Sequence, residues 1–198
     1  MNTTRYTAII AVMLLSVCLV QAKQPGTRQD WITIGDTSNV NDDTGMGAGR
    51  YEYQISKYEV SAFDFLSATS NDSDIVGSTG SINQWGSDGP ATEMSWYEAA
   101  KYANFLTSGD AYTGAYTFTT GRTGGANESN AYTGVDRAGA LANWDTVYVL
   151  PESNEFYKAA YYNLEQDVYY DYSNASNTTP IQGAPGDTPE DGWNWDSS

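Results

Sequence analysis

Residues 23–198 contain neither cysteine nor histidine; the only cysteine of the 198-residue chain is Cys18. Thiol and imidazole chemistry are therefore excluded after position 22, and so is zinc or copper ligation through sulfur or nitrogen. Oxygen is what the chain has, with 25 Asp+Glu against 9 Lys+Arg and a formal net charge of -16. Asn39-Val40-Asn41-Asp42-Asp43-Thr44-Gly45 has the oxygen density of a calcium loop, with Asn39, Asn41 and Asp43 as candidate ligands. The spacing is not that of an EF-hand and the closing Glu is missing. A solvated acidic turn explains the run more simply, and calcium stays open. Asp167 to Asp171, with Asp187, Glu190, Asp191 and Asp196 beyond, carries the same balance. Glu152 and Glu155 could form an acid–base pair, but at a helix start they favour the positive end of its dipole. There is no Gly-rich phosphate loop and no G-x-S-x-G nucleophile motif.

Aromatic residues are the stronger hint of a binding function, among 16 Tyr, 6 Trp and 5 Phe. Trp85, Trp144, Trp193 and Trp195, with Tyr112, Tyr116 and Tyr132, fall in or beside loops rich in Asn and Asp. Flat rings flanked by amides and carboxylates suit stacking on, and hydrogen bonding to, a sugar or a peptide. Loop anchoring is the simpler explanation, because a loop-rich domain needs such rings in its core.

These residues are carried by few regular elements. Trp31–Ile34 reads as a short strand, and Tyr51, Tyr53 and Ile55 alternate with polar neighbours at the period of a half-buried strand. Tyr58 and Val60 resume the apolar set one residue late, which predicts a bulge near Ser56-Lys57. Ser61 can cap a helix with Asp64 three residues on. Ser95-Trp96-Tyr97-Glu98 is a capping box, followed by Trp96, Ala99, Ala100, Ala103 and Leu106 at helical spacing, with Gly109 as a stop. Two small alanines in its middle are expected to let this helix sit close to a neighbour. Ala111 to Trp144 is turn-rich, with one hairpin expected around Tyr116-Thr117-Phe118. Val147–Leu150 is a strand stopped by Pro151, and a second helix is predicted over 153–162, with Phe156, Ala159 and Ala160 on one side. From Glu165 onward the chain is acidic, Asn-rich and poorly periodic. This pattern is that of an irregular α+β domain.

Residues 1–22 read as a secretory signal: Arg5, an apolar run from Ala8 to Val20, and the small-residue exit Val20-Gln21-Ala22. Leu15-Ser16-Val17-Cys18 is a poor lipobox, since bulky Val17 precedes the cysteine. The expected organisation is a signal over 1–22, a polar lead over 23–30 and one domain over 31–198. The acidic field repels phosphate backbones and anionic lipids, so neither nucleic acid nor membrane insertion after signal removal is expected. A secreted or periplasmic location follows.

Three blocks in fixed order carry a resemblance. They are Tyr51-Glu52-Tyr53-Gln54-Ile55-Ser56-Lys57-Tyr58-Glu59-Val60-Ser61, Pro90-Ala91-Thr92-Glu93-Met94-Ser95-Trp96-Tyr97-Glu98-Ala99-Ala100, and Leu150-Pro151-Glu152-Ser153-Asn154-Glu155-Phe156-Tyr157-Lys158-Ala159-Ala160. Together they resemble the formylglycine-generating enzyme, or sulfatase-modifying-factor, family. The resemblance covers residues 31–172 and implies a C-type-lectin-like fold that is incomplete at the C-terminus. Glu152-Ser153 departs from the family's Thr-Glu and Phe156 from its Trp, so Ser153 or Glu152 is expected to cap the second helix. The family's activity is copper-dependent oxidation of a sulfatase cysteine. Its copper-binding cysteines lie in a later part, after a G-N-V-W-E-W segment, that has no counterpart here, so no catalytic or cofactor-binding residue carries over. Copper would enter only if a missing C-terminal part supplied cysteines. Ser95, Glu98, Pro151 and Glu155 are expected to be structural, and Trp96, Phe105, Leu106, Leu150 and Phe156 to fill the core. The chain is thus expected to be an exported, non-catalytic member of this family. Two alternatives remain: a glycan- or peptide-binding module on a lectin-like scaffold, and a fragment of an active oxidase.

Overall fold

The computed structural model describes residues 10–12 as backbone, together with residues 30–75, 87–92, 94–119 and 132–179. It is a mixed α+β protein of two compact units. The first comprises residues up to Ile34 and Tyr51–Pro151; the second comprises Gly35–Arg50 and residues from Glu152 onward.

The first unit is organised by a sheet and one central helix. Strands β1 (Ile10–Val12), β2 (Trp31–Ile34), β3 (Tyr53–Ser56) and β6 (Tyr148–Val149) form a sheet of order β2-β3-β1-β6. The β2–β3 pair is antiparallel, with Ile34 opposite Tyr53, and β1 lies parallel to both β3 and β6. Strand β1 falls inside the stretch expected to be a leader, so cleavage after Ala22 would remove a central strand. After Ser56 the chain bends rather than bulging within a ladder. Tyr58 is therefore turned out to solvent, and Val60 alone returns to the core.

Helix α1 (Ala62–Asn71) starts at Ser61, whose hydroxyl accepts from the Asp64 amide at 3.1 Å. Helix α2 (Trp96–Ser108) has the complete Ser95/Glu98 capping box and ends at Gly109 with φ 84°. That left-handed conformation costs an L residue with a Cβ about 1–2 kcal/mol, which glycine avoids. Residues Ala100 to Leu106 are all buried, so the middle of α2 is covered all round. One apolar cluster holds Tyr53, Ala100, Ala103, Tyr116, Val147 and Val149; another holds Val60, Phe65, Tyr102, Phe105 and Leu106.

Two polar side chains are part of this core. Asn104, fully buried, donates to the carbonyls of Ala111 (3.1 Å) and Tyr116 (2.8 Å) and accepts from the Tyr116 amide (2.9 Å). Lys101 donates to the Asp74 carbonyl at 3.2 Å and lies 4.8 Å from the centre of the Tyr112 ring. The hairpin β4 (Tyr116–Phe118) and β5 (Tyr132–Val135) has an irregularity between Thr117 and Phe118. Helix α3 (Arg137–Asn143), absent from the sequence expectation, is capped by Asp136, which accepts from Gly139 at 2.8 Å. Its seven residues, with an internal glycine, are too few to show helical periodicity.

Trp96 was expected in the core and is 45% exposed. As the first residue of α2 it stands edge-on to Tyr97, Tyr116 and Tyr132, keeping a face outward. Leu150 is half-buried against the first cluster, and its amide donates to the Tyr116 hydroxyl at 2.7 Å.

The second unit contains helix α4 (Ser153–Tyr161) and the hairpin of β7 (Tyr162–Asn163) and β8 (Val168–Tyr169). Glu152 is the N-cap, and its amide donates to Glu155 Oε2 at 2.6 Å. Phe156, expected in the core, is 56% exposed. The buried positions of α4 are Glu155 and Lys158, three residues apart on one face. Asn163 Oδ1 accepts from the Glu165 and Gln166 amides at 3.0 Å each, closing the hairpin turn. Among the described residues no helix is long and apolar enough to cross a membrane.

Candidate functional site: a tyrosine and carboxylate cleft

The second unit is built around the loop Gly35–Arg50, which has no regular structure and is held by side chains. Buried Asn39 is its hub. It donates to the Gly47 carbonyl (2.9 Å) and to the Tyr169 hydroxyl (2.7 Å), and accepts from the Gly49 amide (3.0 Å). Gly47, at φ 100°, lies where a Cβ would meet the Tyr169 hydroxyl at 2.3 Å, so only glycine fits. Its amide donates to Asn154 Oδ1 at 3.0 Å. Lys158, 1% exposed, reaches from α4 and donates to the carbonyls of Gly35 (2.6 Å) and Asp36 (2.7 Å). Burial lowers its pKa, opposed by the negative charge of Asp36.

Around this hub the phenols of α4, β7 and β8 meet the carboxylates of the loop and the turn. Tyr157 donates to Asp42, which also accepts from the Thr44 amide (2.8 Å) and hydroxyl (2.5 Å). Tyr162 donates to Asp36 and lies 2.8 Å from Asp167 Oδ1. A phenol has one proton, so it serves one of these two carboxylates at a time. Asp36 and Asp167 both adopt positive φ, 52° and 53°, a conformation that Asp tolerates better than most residues.

The rings of Tyr157 and Tyr162 lie 5.8 Å and 4.9 Å from that of Tyr169, tilted by 40° and 48°. The hydrogen bond to Asp42 raises the Tyr157 pKa, and burial, reinforced by Asp36 and Asp167, raises that of Tyr162. Asp36 is held below the ordinary carboxylate value, first by the Tyr162 hydroxyl. At Asp42, burial pushes upward, but its hydrogen bonds to Thr44 and Tyr157 outweigh that and lower it. Near neutral pH Tyr157 and Tyr162 are therefore neutral while Asp36 and Asp42 are ionised.

The resulting cleft has a volume of about 530 Å³. Tyr157, Tyr162, Tyr169 and Tyr170 line it, with Asp42, Asp43, Asp167 and Asp171 and the amides Asn41 and Asn177; among the described residues no Lys or Arg is in its wall. It can stack a flat face on a ring and take hydrogen bonds from donors on a ligand.

The structure gives the candidate calcium ligands separate tasks. Asn39 Oδ1 is used on Gly49 and Asn41 Oδ1 on the Ala48 amide (2.7 Å), while Asp43 is exposed at the cleft. Among the described residues no group of three or more His, Cys, Asp or Glu is placed to hold a metal ion. Trp85, Trp193 and Trp195 lie outside the described residues. Trp144 is half-buried at the C-cap of α3, against the first core cluster of the other unit. Tyr116 is buried, while Tyr112 and Tyr132 pack edgewise on Phe118; these are anchors of the first unit. Tyr157 and Tyr162 were not singled out from sequence. Their signal is the spacing of Tyr157, Tyr161 and Tyr162 before a turn and of Tyr169-Tyr170 after it.

No protein-family model, curated protein or solved structure matches this chain.

Proposed function

We propose that this is an exported, non-catalytic binding module on a sulfatase-modifying-factor-like, C-type-lectin-like scaffold, and that the tyrosine and carboxylate cleft of the second unit is its ligand site. The scaffold assignment rests on the three ordered sequence blocks. The binding role rests on one observation: among the described residues, four tyrosines and four aspartates line a single cleft and no Lys or Arg joins them. Such a wall is complementary to a ligand offering flat apolar faces and hydrogen-bond donors. A glycan does so with its C–H faces and hydroxyls, and a peptide does so with its side chains and amides. Asp167 adds to this, because it competes with Asp36 for one Tyr162 proton and has capacity left for a donor from outside. Residues 23–198 contribute no cysteine or histidine, which favours binding over oxidation.

A glycan and peptide array, probed with the full chain and with Tyr170→Ala, tests this. Tyr170 lines the cleft, and its hydroxyl bonds only Gln166 Oε1 (2.7 Å) among the contacts described. The expected result is a set of array features bound by the parent chain and lost in the variant, without dependence on calcium. An array with no feature above background, or features that the variant binds equally, would overturn the proposal.

A further inference from the structure

The cleft of the second unit pairs ring faces with carboxylates at the edges of those rings. Tyr157 donates its hydroxyl to Asp42, and the Tyr162 hydroxyl lies 2.8 Å from Asp167 Oδ1. Each of these aspartates therefore stands at the hydroxyl end of a half-buried ring that lines the cleft. Asp43, Asp167 and Asp171 are exposed there. A flat face with a carboxylate at its edge matches a planar cation whose N–H groups point outward in its own plane. Guanidinium has that form: it stacks on aromatic faces and donates in a fixed fork to carboxylates. A cation within about 6 Å of a tyrosine centroid is also attracted by the ring itself.

Two further observations narrow the class of cation. Among the described residues no group of three or more acidic side chains is placed to hold a metal ion. The aspartates of the wall are thus spread in a way that suits a cation carrying several donors on its own frame. The fold also holds one cation against this tyrosine cluster already, since Lys158 Nζ stands 5.7 Å from the centre of the Tyr162 ring. That lysine is 1% exposed, is held by the Gly35 and Asp36 carbonyls, and is not part of the cleft wall. The open side of the cluster has no such cation among the described residues. Its volume of about 530 Å³ falls within the roughly 300–1,000 Å³ of ligand sites. The formal net charge of -16 draws cationic partners toward the chain.

We propose that the cleft binds a peptide through an arginine side chain, whose guanidinium stacks on the tyrosine rings and donates to the aspartates at their edges. This inference rests on the cleft being the ligand site, and it goes further by selecting a cationic peptide over a neutral glycan.

The test labels the tyrosine rings of the full chain and adds three probes: a blocked Gly-Arg-Gly peptide, the same peptide with citrulline for arginine, and maltotetraose. Citrulline keeps the size and shape of arginine but carries a neutral urea. The arginine peptide is expected to shift the Tyr157, Tyr162, Tyr169 and Tyr170 rings saturably, and the citrulline peptide to bind roughly fivefold to thirtyfold more weakly. Asp43→Asn combined with Asp171→Asn is expected to remove most of that difference by weakening the arginine peptide. Rings that the arginine peptide does not move, equal affinity for the two peptides, or a preference that the double variant keeps in full overturns the guanidinium contact. Maltotetraose moving the four rings while the arginine peptide does not overturns that contact and leaves the cleft as the ligand site. An arginine peptide or array ligand that binds without moving any of the four rings overturns the cleft itself.

Discussion

Asn39→Asp separates two accounts of the loop Gly35–Arg50. As a calcium ligand, a new carboxylate at this position would tighten the ion. As the hub of the loop, it should weaken the fold. The substitution keeps an oxygen for the Gly49 amide, and the Tyr169 hydroxyl can turn to donate to it. It removes the donor to the Gly47 carbonyl, 2.9 Å away, and sets a carboxylate against that carbonyl. A buried acceptor left without its donor costs about 1–3 kcal/mol, and more where charge is involved. Asn39 is 9% exposed, so water offsets part of this, and roughly 2–3 kcal/mol is expected. At about 1.4 kcal/mol per factor of ten, hydrogen exchange at the Gly47 and Gly49 amides should accelerate by roughly 30- to 150-fold, while α2 amides in the other unit keep their rates. Unchanged exchange at those two amides would refute the hub. So would exchange that calcium slows in the variant but not in the parent.

Asn104→Ala leaves two carbonyls and one amide of the first unit without partners; an equilibrium urea titration should show a loss of roughly 3–5 kcal/mol. Gly109→Ala places a Cβ at φ 84° and should cost about 1 kcal/mol in the same titration. Acid should open the second unit. Asp36 and Asp42 are both depressed from the unfolded value of 3.8, so their stabilisation is complete above that pH and is lost as pH falls below it through their lower folded values. The Met46 methyl shift, followed from pH 6 downward, should hold until about pH 4 and then move, whereas Asp36→Asn should have lost that contribution at every pH.

Much of the frame was legible because short-range signals specify it. Ser61 and Ser95 cap their helices as read, Gly109 stops α2, the strand at Trp31–Ile34 stands as read, alternation places the strand at Tyr53–Ser56, and the strand before Pro151 forms at Tyr148–Val149, the middle of the expected 147–150. Burial was less legible. Trp96 and Phe156 are apolar yet outward, because α4 is held by hydrogen bonds of Glu155 and Lys158 and Trp96 heads a helix over a hairpin. The cleft was hardest to foresee. Asp36, Asp42, Tyr157 and Tyr162 are brought together by pairings across more than a hundred residues, and no local period encodes such contacts.

The most direct test of the ligand site labels the tyrosine rings of the full chain and follows their resonances as the strongest binder from the array is added. The account predicts saturable shifts at Tyr157, Tyr162, Tyr169 and Tyr170, with Tyr53, Tyr102 and Tyr116 of the first unit unmoved. Shifts confined to the first unit, or none at saturating ligand, would contradict it.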